Sequence, residues 1–170
     1  DGSLFDGYHP EMQAVHEENA TALDALIRRH GWPTTAMVGD DGAEAAWLIA
    51  QHAISLPDFC RRCLAELQRA AEAGAVPKWQ PAYLEDRIRF LEGRPQLYGT
   101  SFDWDDQGLM SPTPIEEAES VDERRAALGL APVAEATARH RADSQREPRP
   151  ADIGQRQADM DVWAHKTGWR

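Results

Sequence analysis

The amino-acid sequence predicts an all-α fold: a compact multi-helix bundle with long irregular loops and a C-terminal extension. Apolar residues recur every three or four positions through most of residues 11–92, which is the periodicity of amphipathic helices. No segment shows the strict alternation of apolar and polar residues that indicates a half-buried strand. The chain has 170 residues, of which 42% are hydrophobic and six are Trp, so it holds enough apolar material for one core.

Capping and helix-breaking residues set the predicted helix boundaries. The first helix begins after Pro10 and ends before Gly31-Trp32-Pro33, and a turn at residues 39–42 precedes the second. Ser55 is suited to be the N-cap of the third helix, with Pro57 in its first turn. The helices predicted in this way cover residues 11–29, 43–54, 56–73, 81–92, 121–128 and 132–142.

Two stretches lack helical periodicity. Residues 93–114 form a long irregular segment with an acidic aromatic run at residues 102–106, and long loops in compact domains tend to be functional or disordered. The chain is polar after residue 142, where its possible anchors are Ile153, Met160, Val162, Trp163 and Trp169. We therefore predict a helical domain over residues 1–142 and a polar arm over residues 143–170, which packs on its own domain or on a neighbouring copy.

The composition argues against several classes of partner. The formal net charge of -11 repels phosphate backbones and anionic lipid headgroups, so we expect neither nucleic acid nor a membrane as a partner. No apolar stretch approaches the roughly 20 residues that cross a bilayer. Cys60 and Cys63 have no second cysteine pair or His-x-His run nearby, so we interpret them as small hydrophobic residues of a cytoplasmic protein.

Several polar residues fall within apolar stripes when the helices are projected at 3.6 residues per turn. The first helix carries His16 and Asn19, the second carries His52, and residues 81–92 carry Asp86 and Arg87 on adjoining faces. The apolar stripe of the first helix consists of Met12, Val15, Leu23 and Leu26, and that of the second consists of Ala45, Leu48 and Ile49. Packing these helices together would form a candidate polar pocket. For any one of these residues, a structural hydrogen-bond network is the more common explanation.

Two further segments offer groups to a ligand. Trp32, between Gly31 and Pro33, is a large apolar side chain that can cover the core, and this structural role is the simpler explanation. It is also a candidate for contact with a substrate. The Gln96 amide and the Tyr98 and Thr100 hydroxyls lie within five residues, and such a turn is suited to hydrogen-bond a polar ligand. Anchoring of the loop explains this segment equally well.

A set of short motifs is spread over residues 11–130. They are Asn19, Gly31-Trp32-Pro33, Gly39, Gln51-His52-Ala53, Asp58-Phe59, Ala82-x-Leu84-x-Asp86-Arg87, Gly93, Gln96-x-Tyr98-Gly99-Thr100 and Asp122-x-Arg124-Arg125-x-x-x-Gly129-Leu130. Together they resemble a bacterial family catalogued as domain of unknown function 6624. Ser101 departs from the Gln that this family places after Gly-Thr. The resemblance supplies no activity, and it implies that Asn19, His52, Asp86, Arg87, Gln96 and Tyr98 belong to one constellation.

Three functions are open at this point, and the first is a cofactor-free enzyme of hydrolase or lyase type that acts on a small polar or anionic molecule. Its candidate catalytic residues are His52 as acid or base, Asp86 to orient it, Arg87 to hold an anion and Tyr98 as a hydrogen-bond donor. The candidate substrate-binding residues are His16, Asn19, Trp32, Gln96 and Thr100.

The second function is a non-catalytic module that binds proteins or another copy of itself through its acidic surface and its C-terminal arm. Trp104, Trp163 and Trp169 favour it, because they interrupt polar stretches and exposed aromatics often anchor interfaces. The third is a metal enzyme with His16, His52 and a carboxylate such as Glu17 or Asp86 as ligands. We rank it last, because no His-x-x-x-His or Glu-x-x-His pair is present, and we predict neither a metal site nor a cofactor.

Overall fold

The computed structural model describes residues 9–146 and 149–170, and in this part the chain is mostly α-helical. The predicted all-α class is confirmed, with one small two-stranded sheet in addition. The elements are α1 (Pro10–His30), α2 (Thr35–His52), α3 (Pro57–Glu72), α4 (Trp79–Leu91), β1 (Phe102–Trp104), β2 (Met110–Pro112), α5 (Val121–Ala126), α6 (Val133–Asp143) and α7 (Ile153–Thr167). The chain divides within α4 into an N-terminal unit, His9–Leu84, and a C-terminal unit that contains Glu85–Arg170.

The N-terminal unit begins with α1 and α2. Pro10 occupies the first turn of α1, where a missing N–H costs nothing, and the helix ends at Gly31. The second helix begins at Thr35, earlier than predicted, because the expected turn at residues 39–42 is a kink within the helix. Gly39 makes this kink with a φ of 74°, a backbone conformation that glycine adopts without strain.

The buried faces of α1 and α2 differ from the predicted stripes. Ala20, Leu23 and Ile27 are buried on α1, whereas Asn19 is exposed. On α2 the buried side chains are Ala46, Ala50 and Gln51, and His52 is exposed. The placement of Asn19 and His52 on buried stripes is therefore wrong. Both helices carry apolar residues on more than one face, and Val15, Leu26 and Leu48 remain 55%, 52% and 41% exposed.

The third helix supplies a large part of the N-terminal core. Phe59, Cys60, Cys63, Leu67 and Ala71 repeat at helical spacing and are all buried. Both cysteines are buried, in agreement with their interpretation as small hydrophobic residues. The N-cap is Leu56, so the prediction of Ser55 at this position is wrong, and Leu56 makes no side-chain capping hydrogen bond.

In the C-terminal unit a short hairpin follows α4. Strands β1 and β2 are antiparallel, with Phe102 opposite Pro112 and Trp104 opposite Met110. The carboxylate of Asp105 closes the turn by accepting hydrogen bonds from two backbone N–H groups and the Ser111 hydroxyl. The sequence shows no alternation here, because strands of three residues are too short to display it.

Residues 149–170 contain a helix that the sequence analysis did not predict. The Asp152 carboxylate accepts the N–H of Gln155 at 2.8 Å at the start of α7, and Gly168 ends the helix with a φ of 87°.

Trp169 is 4% exposed and Trp104 is 7% exposed, so the expectation that they are exposed anchors is wrong. The predicted boundary after residue 142 differs from the observed division, since Ser144 and α7 share a unit with α5 and α6.

Within the residues described, no helix is long and apolar enough to cross a membrane.

Candidate functional site

Asp86 lies on α4 with no solvent exposure and organises the loop of residues 96–100. Its carboxylate accepts the backbone N–H groups of Leu97 at 2.7 Å, Tyr98 at 3.1 Å and Thr100 at 3.0 Å, and the Thr100 hydroxyl at 2.9 Å. Burial raises the pKa of Asp86, while these hydrogen bonds act in the opposite direction. Both carboxylate oxygens are engaged by the loop, so the geometry supports the structural explanation for this residue.

The carbonyl groups of the same loop are held by two arginines of α5. The Arg124 guanidinium donates to the Leu97 carbonyl at 2.7 Å, and that of Arg125 donates to the Tyr98 and Gly99 carbonyls at 2.6 and 3.1 Å. Arg125 is only 3% exposed. The loop backbone therefore lies between one buried anion, which takes its N–H groups, and two cations, which take its C=O groups. This arrangement leaves little of the loop backbone for a ligand.

Gln96 has no solvent exposure, and its side-chain amide is used within the chain. Its Nε2 donates to the Ser101 carbonyl at 2.9 Å and to the Thr113 carbonyl and hydroxyl at 2.8 and 2.9 Å. Its Oε1 accepts the Ser101 N–H at 2.8 Å. The predicted contact of Gln96 with a substrate stays a prediction, whereas the observed contacts link the loop to the segment after β2.

The backbone of Tyr98 is held by hydrogen bonds, but its side chain is not. The side chain is half-buried, and its hydroxyl makes no hydrogen bond in the part of the chain that the structure describes. Burial and the charge of Asp86 raise the pKa of Tyr98, which keeps its hydroxyl protonated and able to donate. Arg87 is half-buried on α4. Their predicted roles toward a substrate remain predictions.

In the N-terminal unit the structure brings His16 and His52 together. Their ring centroids are 5.4 Å apart and the ring planes are inclined by 40°. His16 lies on α1 and is half-buried, and His52 is the exposed last residue of α2. Asn19 follows His16 by three residues on the same helix, which places the two side chains on neighbouring positions of the helix surface. Asn19 is exposed, so these three residues form an accessible polar cluster, which we call the histidine cluster.

Trp32 is buried in the same unit, at 4% exposure. Its indole N–H finds no acceptor among the residues that the structure describes. A buried donor without a partner costs about 1–3 kcal/mol. Burial of the Trp32 ring supports a role in the core. The contact of Trp32 with a substrate stays a prediction.

The metal-enzyme hypothesis needs at least three suitable ligands close together. Over residues 9–146 and 149–170, no group of three or more His, Cys, Asp or Glu side chains is placed to hold a metal ion. His16 and His52 would supply two nitrogen ligands, and the metal-enzyme hypothesis stays a prediction.

The sequence analysis gave no role of their own to Arg124 and Arg125, which prove central to the loop. Both appear in the motif Asp122-x-Arg124-Arg125, and the Asp122 carboxylate accepts the N–H of Val133 at 2.7 Å. The signal that could have found them is their position, since of the three Arg-Arg pairs in the sequence, at residues 28–29, 61–62 and 124–125, the last is the one that follows the irregular segment.

Comparison with known proteins identifies the family. A family model described as a family of unknown function, DUF6624, matches residues 7–144. The chain belongs to this family. No curated protein and no solved structure matches it significantly. The matched segment of this DUF6624 chain includes the Asp86 loop, both arginines and the histidine cluster, and it ends before α7.

Proposed function

We propose that this DUF6624 chain is a cofactor-free protein that binds a small polar or anionic molecule at the histidine cluster and performs acid–base chemistry of the hydrolase or lyase type on it. The observation that carries the proposal is the contact between the His16 and His52 rings on the accessible surface of the N-terminal unit. We further propose a bacterial, cytoplasmic setting, which rests on the family resemblance, the acidic composition and the two buried cysteines of α3.

The chemistry follows from what imidazole rings and amides offer. Histidine is the side chain that ordinarily exchanges a proton near neutral pH, and a neutral ring carries one donor and one acceptor nitrogen. Two rings in contact are therefore suited to transfer protons to and from the same small molecule. The exposed amide of Asn19, one helical turn away, adds a further donor and acceptor. Asp86 is not needed for this chemistry, because its oxygens already hold the loop.

Conservative substitutions of the two histidines test this proposal. A thermal-shift screen of small carboxylates, phosphate esters and amides on the wild-type protein identifies a stabilising molecule. We expect His16→Gln and His52→Gln to unfold within about 0.5 kcal/mol of wild type, as surface substitutions usually do. Both variants should lose the stabilisation by the screened molecule.

His30→Gln is the matched control, since His30 is an exposed histidine at the end of the same helix, α1. This control should keep the ligand effect in full. If all three variants respond to the screened molecule alike, the histidine cluster is not its site.

A second candidate function, self-association without catalysis, is supported by the exposed apolar side chains of α1 and α2. Leu26 and Met37 are 52% and 53% exposed, and Val15 is 55% exposed. A two-fold contact between copies would bury the same patch on both. Sedimentation velocity of the wild type and of a Leu26→Ser/Met37→Ser variant checks this, and a monomeric wild type at high concentration rules it out.

A further inference from the structure

A cavity of about 590 Å³ opens in the C-terminal unit, where it is lined by residues from the end of α4, the β1–β2 hairpin and α7. Most of its wall is apolar, and the apolar lining residues are Phe90, Pro95, Trp104, Pro112, Pro114 and Met160. Ligand sites in proteins are typically concave, of about 300–1,000 Å³, with mainly apolar walls and a few polar groups that fix orientation. The cavity therefore has the size and surface of a site for a small organic molecule.

The charged groups of the wall show which ligand charge fits. Three of the five charged lining residues are neutralised by ion pairs within the chain. These pairs are Asp103 with Arg156 at 2.5 Å, Arg94 with Glu92 at 2.8 Å, and Arg170 with Asp161. The other two are Asp105 and Asp106, and neither forms an ion pair in the part of the chain that is described. The wall thus presents two carboxylates outside any ion pair of the described residues, although the nearby charge of Arg141 helps to lower the pKa of Asp105.

Asp105 and Asp106 differ in how firmly their carboxylates are held in place. The Asp105 carboxylate is fixed by the Ser111 hydroxyl at 2.7 Å and by the Leu109 and Gln107 N–H groups, which lower its pKa and keep it ionised. Asp106 is exposed and has no such bonds among the residues described. Asp105 therefore supplies a fixed negative charge, and Asp106 can adjust to a cationic group.

We propose that this cavity binds a small organic amine, with an apolar or aromatic body against Phe90, Trp104 and Met160 and its ammonium group beside Asp105 and Asp106. The aromatic rings favour the same ligand, because Phe90 and Trp104 can pack against its apolar or aromatic body. The site lies within the C-terminal unit and is separate from the histidine cluster. Its ligand differs in charge from the small polar or anionic molecule proposed for that cluster.

Calorimetric titration of the full chain with 2-phenylethylammonium tests the proposal, with phenylacetate as the anion of similar size and shape. We expect saturable binding of the amine and much weaker binding of phenylacetate. Asp106→Asn should weaken amine binding about fivefold, as expected for one carboxylate close to a cation in water. Raising the salt concentration should reduce this difference.

Asp40→Asn is the matched control, because Asp40 is an exposed aspartate in the N-terminal unit and the change in net charge is the same. It should leave the affinity unchanged. The Trp104 indole N–H resonance, assigned with a Trp104→Phe variant, should shift on addition of the amine. The proposal is overturned if the amine does not saturate, if phenylacetate binds equally well, if both Asp variants behave alike, or if the Trp104 resonance does not move.

Discussion

The loop around Asp86 and the histidine cluster place polar groups in two different environments. Around Asp86, a carboxylate without solvent exposure accepts hydrogen bonds from three backbone N–H groups and one hydroxyl. In the histidine cluster, His52 and Asn19 are exposed and the rings of His16 and His52 meet at 5.4 Å. The buried charge of Asp86 fixes the loop backbone, whereas the exposed groups of the histidine cluster lie in contact with solvent. The two regions should therefore respond oppositely to substitution.

The largest expected effect is that of Asp86→Asn. The new amide group would place N–H donors against loop N–H groups that need acceptors, and two buried donors left without partners cost about 2–6 kcal/mol together, at about 1–3 kcal/mol each. We expect a loss of this order in the free energy of unfolding of the C-terminal unit. Urea unfolding measures this loss, and the amide hydrogens of Leu97, Tyr98 and Thr100 should exchange faster with solvent.

Asp24→Asn is the control for this variant. Asp24 is an aspartate of α1 that accepts hydrogen bonds from Arg28 at 2.8 Å and Arg62 at 3.1 Å. Burial tends to raise its pKa, but the bonds from both arginines lower it below the ordinary value. Since exposed ion pairs contribute about 0–1 kcal/mol, this variant should unfold close to wild type. An equal loss in both variants would contradict the structural role of Asp86.

A smaller effect is expected for Gly99→Ala, in the same loop. Gly99 has a φ of 65°, and an added Cβ would lie 3.0 Å from Ile115 Cδ1 and 3.0 Å from Val133 Cγ2. The left-handed backbone costs about 1–2 kcal/mol for a residue with a Cβ, and overpacking adds about 1–3 kcal/mol. Gly129→Ala is the control, because Gly129 has a φ of 72° but open space around it. If the two variants lose equal stability, the loop is less tightly packed than the structure indicates.

The smallest effect on stability should come from Asn19→Ala. Asn19 is exposed on α1 and alanine favours helices, so the free energy of unfolding should change by less than about 0.5 kcal/mol. Under the proposed function, the same variant should weaken ligand binding, which a thermal-shift titration measures. A loss of stability comparable to that of Asp86→Asn would show that the two regions do not differ as described.

Much of the fold could be predicted from the sequence because helix periodicity and helix breakers are local signals. Helices α1, α3 and α4 agree with their predicted ranges within a few residues. The hairpin was missed because each strand has only three residues and is held by the Asp105 turn. Helix α7 was missed because its polar sequence lacks a broad apolar stripe, although Asp152 followed by Gln155 is a capping signal.

The functional residues were harder to predict because the choice between two apolar faces of a helix depends on tertiary packing. Asn19 and His52 lie on the faces of α1 and α2 that stay in contact with solvent. The sequence suggests that His16 and His52 share a polar pocket, but the geometry of their contact depends on how the two helices pack and could not be predicted. In contrast, the sequence marks Asp86 and the loop of residues 96–100 as unusual, and the hydrogen bonds between them fit the structural explanation given there.

The two buried thiols of α3 are a natural probe of local unfolding. Cys60 and Cys63 are the only cysteines in the sequence, and both lie in the N-terminal unit. Burial raises the pKa of Cys63, and only the thiolate reacts with thiol reagents. The labelling rate of the native protein therefore reports how often α3 is exposed to solvent. Because the C-terminal unit contains no thiol, this rate follows one half of the molecule without any engineered probe.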